Sequence, residues 1–188
     1  KSPYLRHALE ISSFRITLTL ACRESHGRAK LMFWEQGIHL RDSVAAESHE
    51  ERFPVYPDAF FGLSVQGKIL SYFLEIDRGT MPIVASSARS DLRKKFIGYK
   101  LYSDTRKHSQ RYFVRVDSND SALELVVNDN KRGDRVSDPS LVPIKGFRAL
   151  FVIPGSFKQD GSPDGRLGNV LSAMPTFGRA YSTSYLFW

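Results

Sequence analysis

The chain has 188 residues, enough for one domain with a buried core, and its 41% hydrophobic and 25% charged residues are ordinary for a globular protein. Lys and Arg outnumber Asp and Glu by 27 to 20, a net charge of +7 that favours a polyanionic partner. The single cysteine, Cys22, excludes an internal disulfide and a cysteine-built zinc site. No apolar run reaches the length of about 18 residues needed to span a membrane, and a cytoplasmic location is expected.

Residues 3–24 are predicted helical, in one or two segments, with Ser2 as cap and Pro3 in the first turn. Leu5, Ala8 and Leu9 make an apolar face, Ser12-Ser13 offer a restart, and Phe14, Leu18 and Ala21 continue at helical spacing until His26-Gly27 ends the element. His7 lies one position off that face and reads as a surface or structurally satisfied histidine. Residues 29–35 read as a strand closed by Glu35, and residues 36–55 as a polar loop whose His39 and His49 are too isolated for a metal site.

Residues 56–80 read as a β-hairpin turning near Gln66-Gly67, with Asp58 at its start and Glu75 and Asp77 at its end. Residues two apart on a strand share a face, so Glu75 and Asp77 project together with Ser71 and Phe73, while Tyr72, Leu74 and Ile76 take the other side. Pairing returns Asp58 to the neighbourhood of Glu75. Three carboxylates at one sheet edge suit Mg²⁺ or Mn²⁺; as plain surface acids they would instead pair with Arg78 or Lys68.

Residues 85–104 read as a helix in which Leu92, Phe96, Tyr99 and Tyr102 recur at helical spacing and Lys95 and Tyr99, four apart, share a flank. Residues 105–146 read as an insertion that extends or covers the sheet, with strands at 111–116 and 123–127 joined by a turn at 117–120. Then come a buried strand at 146–154, a loop at 155–164, a short helix at 165–173 and a last strand at 181–188. Lys1-Ser2-Pro3 is neither an initiator Met nor a signal peptide, and the chain stops on the apolar run Tyr185 to Trp188, so a fragment of a longer protein is expected. The order implies a mixed sheet with helices on both faces.

That order, with His7, Leu9 and Phe14-Arg15, then Trp34-Glu35, Pro57-Asp58-Ala59, Phe73 to Thr80, Lys95 with Tyr99, and Phe147 to Ile153, resembles the replication-relaxation family of plasmid and mobile-element proteins, related to MOBC-type relaxases. The resemblance implies an α/β, restriction-endonuclease-like PD-(D/E)xK fold: a mixed sheet of α-β-β-β-α-β-α-β order flanked by helices, with an inserted hairpin. It implies a Mg²⁺- or Mn²⁺-dependent DNA endonuclease or nickase, with DNA and other replication or mobilisation proteins as partners. By position, Asp58 and Glu75 match the metal-binding acids, and Asp77 stands where the broad superfamily has lysine. Lys95 on the following helix is the substitute. Glu35 and Tyr99 are accessory candidates, and a plain strand-end charge and a core tyrosine are the competing readings. Arg89, Arg93, Lys94, Lys100, Arg106, Lys107 and Arg111, with Lys131, Arg132 and Arg135, form a basic set able to grip phosphates, and Tyr102, Tyr112 and Phe113 are candidate base-stacking faces. A solvated basic surface is the competing reading. The alternative for the whole chain is a non-catalytic DNA-binding or assembly module.

Overall fold

The computed structural model describes residues 3–45, 51–85, 91–116, 123–129, 138–173 and 185–187. The chain runs α1 (Pro3–Glu24), β1 (Ala29–Glu35), a 3-10 turn (Ile38–Leu40), β2 (Asp42–Ala45), β3 (Arg52–Val55), β4 (Ala59–Val65) and β5 (Lys68–Ile76). It continues with α2 (Leu92–Asp104), α3 (Lys107–Arg111), β6 (Tyr112–Val116), β7 (Leu123–Val127), β8 (Leu141–Pro143) and β9 (Arg148–Val152). Last come β10 (Ser156–Phe157), β11 (Pro163–Asp164), α4 (Gly165–Ala173) and β12 (Tyr185–Phe187).

The large sheet has the order β1-β4-β5-β9-β12. β1, β4 and β5 run antiparallel, whereas β9 lies parallel to β5 and β12 parallel to β9, which makes the sheet mixed. The β4–β5 turn sits where expected. Gln66 and Gly67 have φ of 50° and 77°, and Val65 pairs with Lys68. Two successive left-handed residues match the twist of a tight hairpin. The strand alternation also holds: Phe60 and Phe73 join the core on one side, while Phe61, Tyr72 and Leu74 join a second cluster with Phe14 and Leu18 of α1. Phe60 stacks on Phe73 with centroids 4.2 Å apart, and Phe61 stacks on Tyr72 at 5.2 Å. Helix α2 covers the Phe73 side through Phe96, Tyr99 and Tyr102.

Several expectations are corrected. Helix α1 is not one of them: it runs over the expected span as one 22-residue element, with the Ser12 hydroxyl donating back to the Ala8 carbonyl at 2.9 Å. Its packing face is Ile11, Phe14 and Leu18; Leu5 and Leu9 are 59% and 60% exposed. Ser2 lies outside the described residues. Within 36–55, β2 and β3 form a hairpin in place of a loop, burying Leu40, Val44 and Val55. This hairpin seats on α2 at Gly98, where any Cβ would stand 2.8 Å from the Pro54 carbonyl oxygen. Helix α2 begins at Leu92, capped by Asp91, whose side chain accepts the Lys94 amide at 2.7 Å. The expected helical residues 86–90 and the turn at 117–120 lie outside the described residues.

Within 105–146, β6 pairs with β7 and β8. Its buried Tyr112, with Val114, Leu125 and Ile144, belongs to the same core as Phe60 and Phe73. The stretch 155–164, expected as a loop, carries the short β10–β11 pairing. Of the expected last strand, Tyr185–Phe187 is a strand, and residues 181–184 and 188 lie outside the described residues.

Candidate functional site

The β4–β5 hairpin positions the acids. Asp58, just before β4, donates its amide to the Leu74 carbonyl at 2.9 Å, and its Oδ2 accepts the Ile76 amide at 2.7 Å. The carboxylate therefore clamps across the strand pair at the last residue of β5. From α1, His7 Nε2 lies 2.8 Å from Asp58 Oδ1. Glu75, one residue before the end of β5, faces α2. There Tyr99 donates its hydroxyl to Glu75 Oε1 at 2.6 Å, and the Lys95 ammonium pairs with Glu75 Oε2. Asp77 continues off the strand: its amide donates to the Val152 carbonyl at 2.9 Å, its Oδ1 accepts the Gly79 amide at 3.0 Å, and its Oδ2 pairs with the Arg166 guanidinium of α4. His7, Asp58, Glu75, Asp77, Arg78 and Lys95 line one pocket of about 140 Å³. It lies beyond the carboxyl ends of parallel β5 and β9, where α/β sheets commonly take ligands.

The electrostatics of this pocket are unequal. Burial pushes the Glu75 carboxyl above its usual range; Lys95 opposes this, and the charge of Asp58 adds to it. Burial would lower the Lys95 ammonium, yet Glu75, Asp58 and Asp77 together hold it above its usual value. Lys95 is therefore a cation near neutral pH. Burial, then Glu75 and Asp58, raise the Tyr99 hydroxyl well above its usual value. It acts as a hydrogen-bond donor to Glu75 and not as a phenolate.

Asp58 and Glu75 are hard oxygen donors, and each spends two of the roughly four acceptor positions of a carboxylate on protein hydrogen bonds. Among the described residues, no group of three His, Cys, Asp or Glu side chains gathers to hold a metal by itself. That donor set suits Mg²⁺, which is commonly held by one or two carboxylates with water and phosphate oxygens completing its shell.

The other candidates lie elsewhere. Glu35 sits 3.6 Å from His39 and does not line the pocket. Lys94 pairs with Glu51 at 3.0 Å, Lys100 with Asp104 at 2.7 Å, and Arg93 Nε lies 4.0 Å from Asp91. Arg106 is exposed at the start of α3. Lys107 donates to Asp42 at 2.7 Å, and Arg111 lies 3.8 Å from the same carboxylate while donating to the His39 and Arg41 carbonyls. Tyr102 adds its hydroxyl to Asp42 at 2.8 Å. Burial would raise the Asp42 carboxyl, but Lys107, the Ser43 amide and Tyr102 hold it below its usual range. Tyr102 and Tyr112 are fully buried, so the expectation that they stack on bases is corrected; Phe113 is half-buried on β6. Burial pushes the Tyr112 hydroxyl up to about 12. Arg89, Lys131, Arg132 and Arg135 lie outside the described residues.

Sequence reasoning did not assign His7 as the partner of Asp58, Arg166 as the partner of Asp77, or Asp42 as a charge centre. His7 was read as a surface or structurally satisfied histidine and stood among the residues that carried the resemblance. A model of a family described as replication-relaxation matches residues 1–116. No match was found among curated proteins or among solved structures. No helix among the described residues is long and apolar enough to cross a membrane.

Proposed function

The chain belongs to the replication-relaxation family, and from that premise we propose that it is a metal-dependent DNA nickase domain. Membership ties the chain to plasmid or mobile-element replication or relaxation. The observation that carries the finer reading is the meeting of Asp58, Glu75 and Lys95, from three elements, at one pocket. The strand and helix order supports a restriction-endonuclease-like arrangement, and kinship to MOBC-type relaxases follows from the same reading.

Asp58 and Glu75 would hold Mg²⁺ or Mn²⁺, with Asp77 assisting. The ion supplies Lewis-acid stabilisation of a phosphate and a more acidic water. His7 orients Asp58, and Tyr99 fixes Glu75. Lys95, a cation, neutralises charge on the five-coordinate phosphate and does not act as a base. Arg166 holds Asp77 beside the pocket.

Incubation of supercoiled plasmid with the protein and Mg²⁺ is expected to give nicked circles, abolished by EDTA and by Glu75→Ala with an unchanged circular dichroism spectrum. Nicking that survives Glu75→Ala in purified protein rejects the assignment.

One observation favours a second reading, a non-catalytic DNA-binding or assembly module. Every carboxylate oxygen of Asp58, Glu75 and Asp77 already has a proton donor within the fold. Salt-dependent DNA binding without metal-dependent cleavage supports that module.

A further inference from the structure

We propose that the outer face of α1 is an interface between two copies of this chain, packed antiparallel about a twofold axis that passes between Ser12 and Ser13. Helix α1 packs on the sheet through Phe14 and Leu18. Its opposite face carries Leu5, Leu9, Ile16 and Leu20, which are between 49% and 61% exposed. Ala8, Ser12, Ser13 and Thr17 lie among them, exposed and uncharged. At about 3.6 residues per turn these positions form one stripe, with the alternating spacing of three and four that seats one helix on another. A continuous apolar stripe of this kind marks a contact surface.

The stripe is its own complement. Leu5 and Leu20 lie equally far from the midpoint between Ser12 and Ser13, and so do Leu9 and Ile16. A twofold axis at that midpoint sets Leu5 of each copy against Leu20 of the other, and Leu9 against Ile16, as an isologous contact requires. The small side chains at the midpoint let the helices cross closely. Ser12 donates to the Ala8 carbonyl at 2.9 Å and Thr17 to the Ser13 carbonyl at 3.0 Å, so these hydroxyls need no acceptor across the contact. A stripe with no charge and satisfied donors suits an apolar partner over DNA or a charged peptide. His7, which reaches Asp58, projects from the other side of α1, so the paired face points away from the acidic pocket. One helix face gives a contact at the low end of specific interfaces, below about 1,200 Å² in total, and the pair is expected to be weak and concentration-dependent. Two copies of net charge +7 repel, so added salt should tighten it.

The test is sedimentation velocity of the chain across the micromolar range, without DNA or metal, at low and high NaCl. A shift from monomer to dimer with concentration, stronger at high salt, is expected. Leu9→Glu combined with Ile16→Glu places carboxylates on both sides of the crossing and should weaken the dimer about tenfold or more, with wild-type circular dichroism because both positions are exposed. The register is read by oxidative crosslinking in a Cys22→Ala background. Ser12→Cys should link to its own copy. Leu5→Cys should not, since antiparallel packing sets it about 22 Å along the axis from its copy, whereas Leu5→Cys with Leu20→Cys should link. A monomer at every concentration, a dimer that tolerates the double Glu variant, or Leu5→Cys linking as readily as Ser12→Cys overturns the proposal. None of these readouts involves strand cleavage, so the outcome is separate from that of the nicking assay.

Discussion

Toward the two ends of α2 sit two carboxylates built from the same ingredients and balanced in opposite ways. Asp42 receives the Tyr102 hydroxyl, the Lys107 ammonium and the Ser43 amide, with Arg111 beside it. Glu75 receives the Tyr99 hydroxyl and the Lys95 ammonium, but it shares that ammonium's field with Asp58 and Asp77. At Asp42 positive charge is in surplus, and the carboxyl is held below its usual range. At Glu75 burial pushes the carboxyl up against the opposing charge of Lys95, and the charge of Asp58 adds to the rise. A centre with surplus cations fastens parts of the fold together. A buried acid held above its usual range is instead the kind of perturbed group that collects at functional sites.

The comparison breaks most visibly through stability. Asp42→Ala strands Lys107, Arg111 and Tyr102 together and should lower the unfolding free energy by about 3 kcal/mol, read by urea denaturation, without changing the nicking rate of folded protein. An unchanged denaturation midpoint would deny Asp42 its fastening role. Next in size, Lys95→Met should cut nicking about 100-fold, whereas Lys107→Met should leave it intact. Equal losses in the two variants would erase the distinction.

The pH dependence sharpens the contrast because its two signs differ. Asp42 has a depressed folded value, so its stabilisation is present above its unfolded pKa of about 3.9 and is lost as pH falls through the folded value. Glu75 has a raised folded value, so its ionisation costs stability as pH rises from about 4.3 through that value. Denaturation between about pH 3 and pH 7 should therefore show Asp42→Asn falling further behind wild type as pH rises. Glu75→Gln should gain on wild type over the same interval. Parallel slopes would mean that the two centres share one balance after all. The smallest effect belongs to Tyr99→Phe, expected to cost about 1 kcal/mol for the lost hydrogen bond to Glu75; a melting curve that matches wild type would deny that bond a net contribution.

The acidic hairpin was legible because its signals are local. Gln66-Gly67 marks the turn, and the alternation of Phe73 and Glu75 against Tyr72 and Leu74 marks the faces. The partnership of Lys95 with Tyr99 was legible from helical spacing alone. What stayed hidden depends on distant contacts. Leu40, Val44, Phe53 and Val55 are separated by polar residues, so the β2–β3 hairpin resembled a loop until α2 buried them. Leu5 and Leu9 share helical spacing, but Phe14 sets the packing face by wedging against Trp34 and Phe61. The Asp77–Arg166 pair joins residues 89 positions apart, and no local pattern encodes it.

The pairing of β5 with β9 carries a consequence for anyone trimming the gene. The portion matched by the family model stops at residue 116, whereas the strand that flanks Glu75 on its far side spans Arg148–Val152. A piece cut at the end of the match would keep Asp58, Glu75 and Lys95 but leave β5 as a raw edge of nine residues rich in Leu, Tyr, Phe and Ile. Such an edge is an invitation to intermolecular strand addition. The truncated product should accumulate in inclusion bodies, and the diagnostic segment is therefore shorter than the smallest piece that can stand alone.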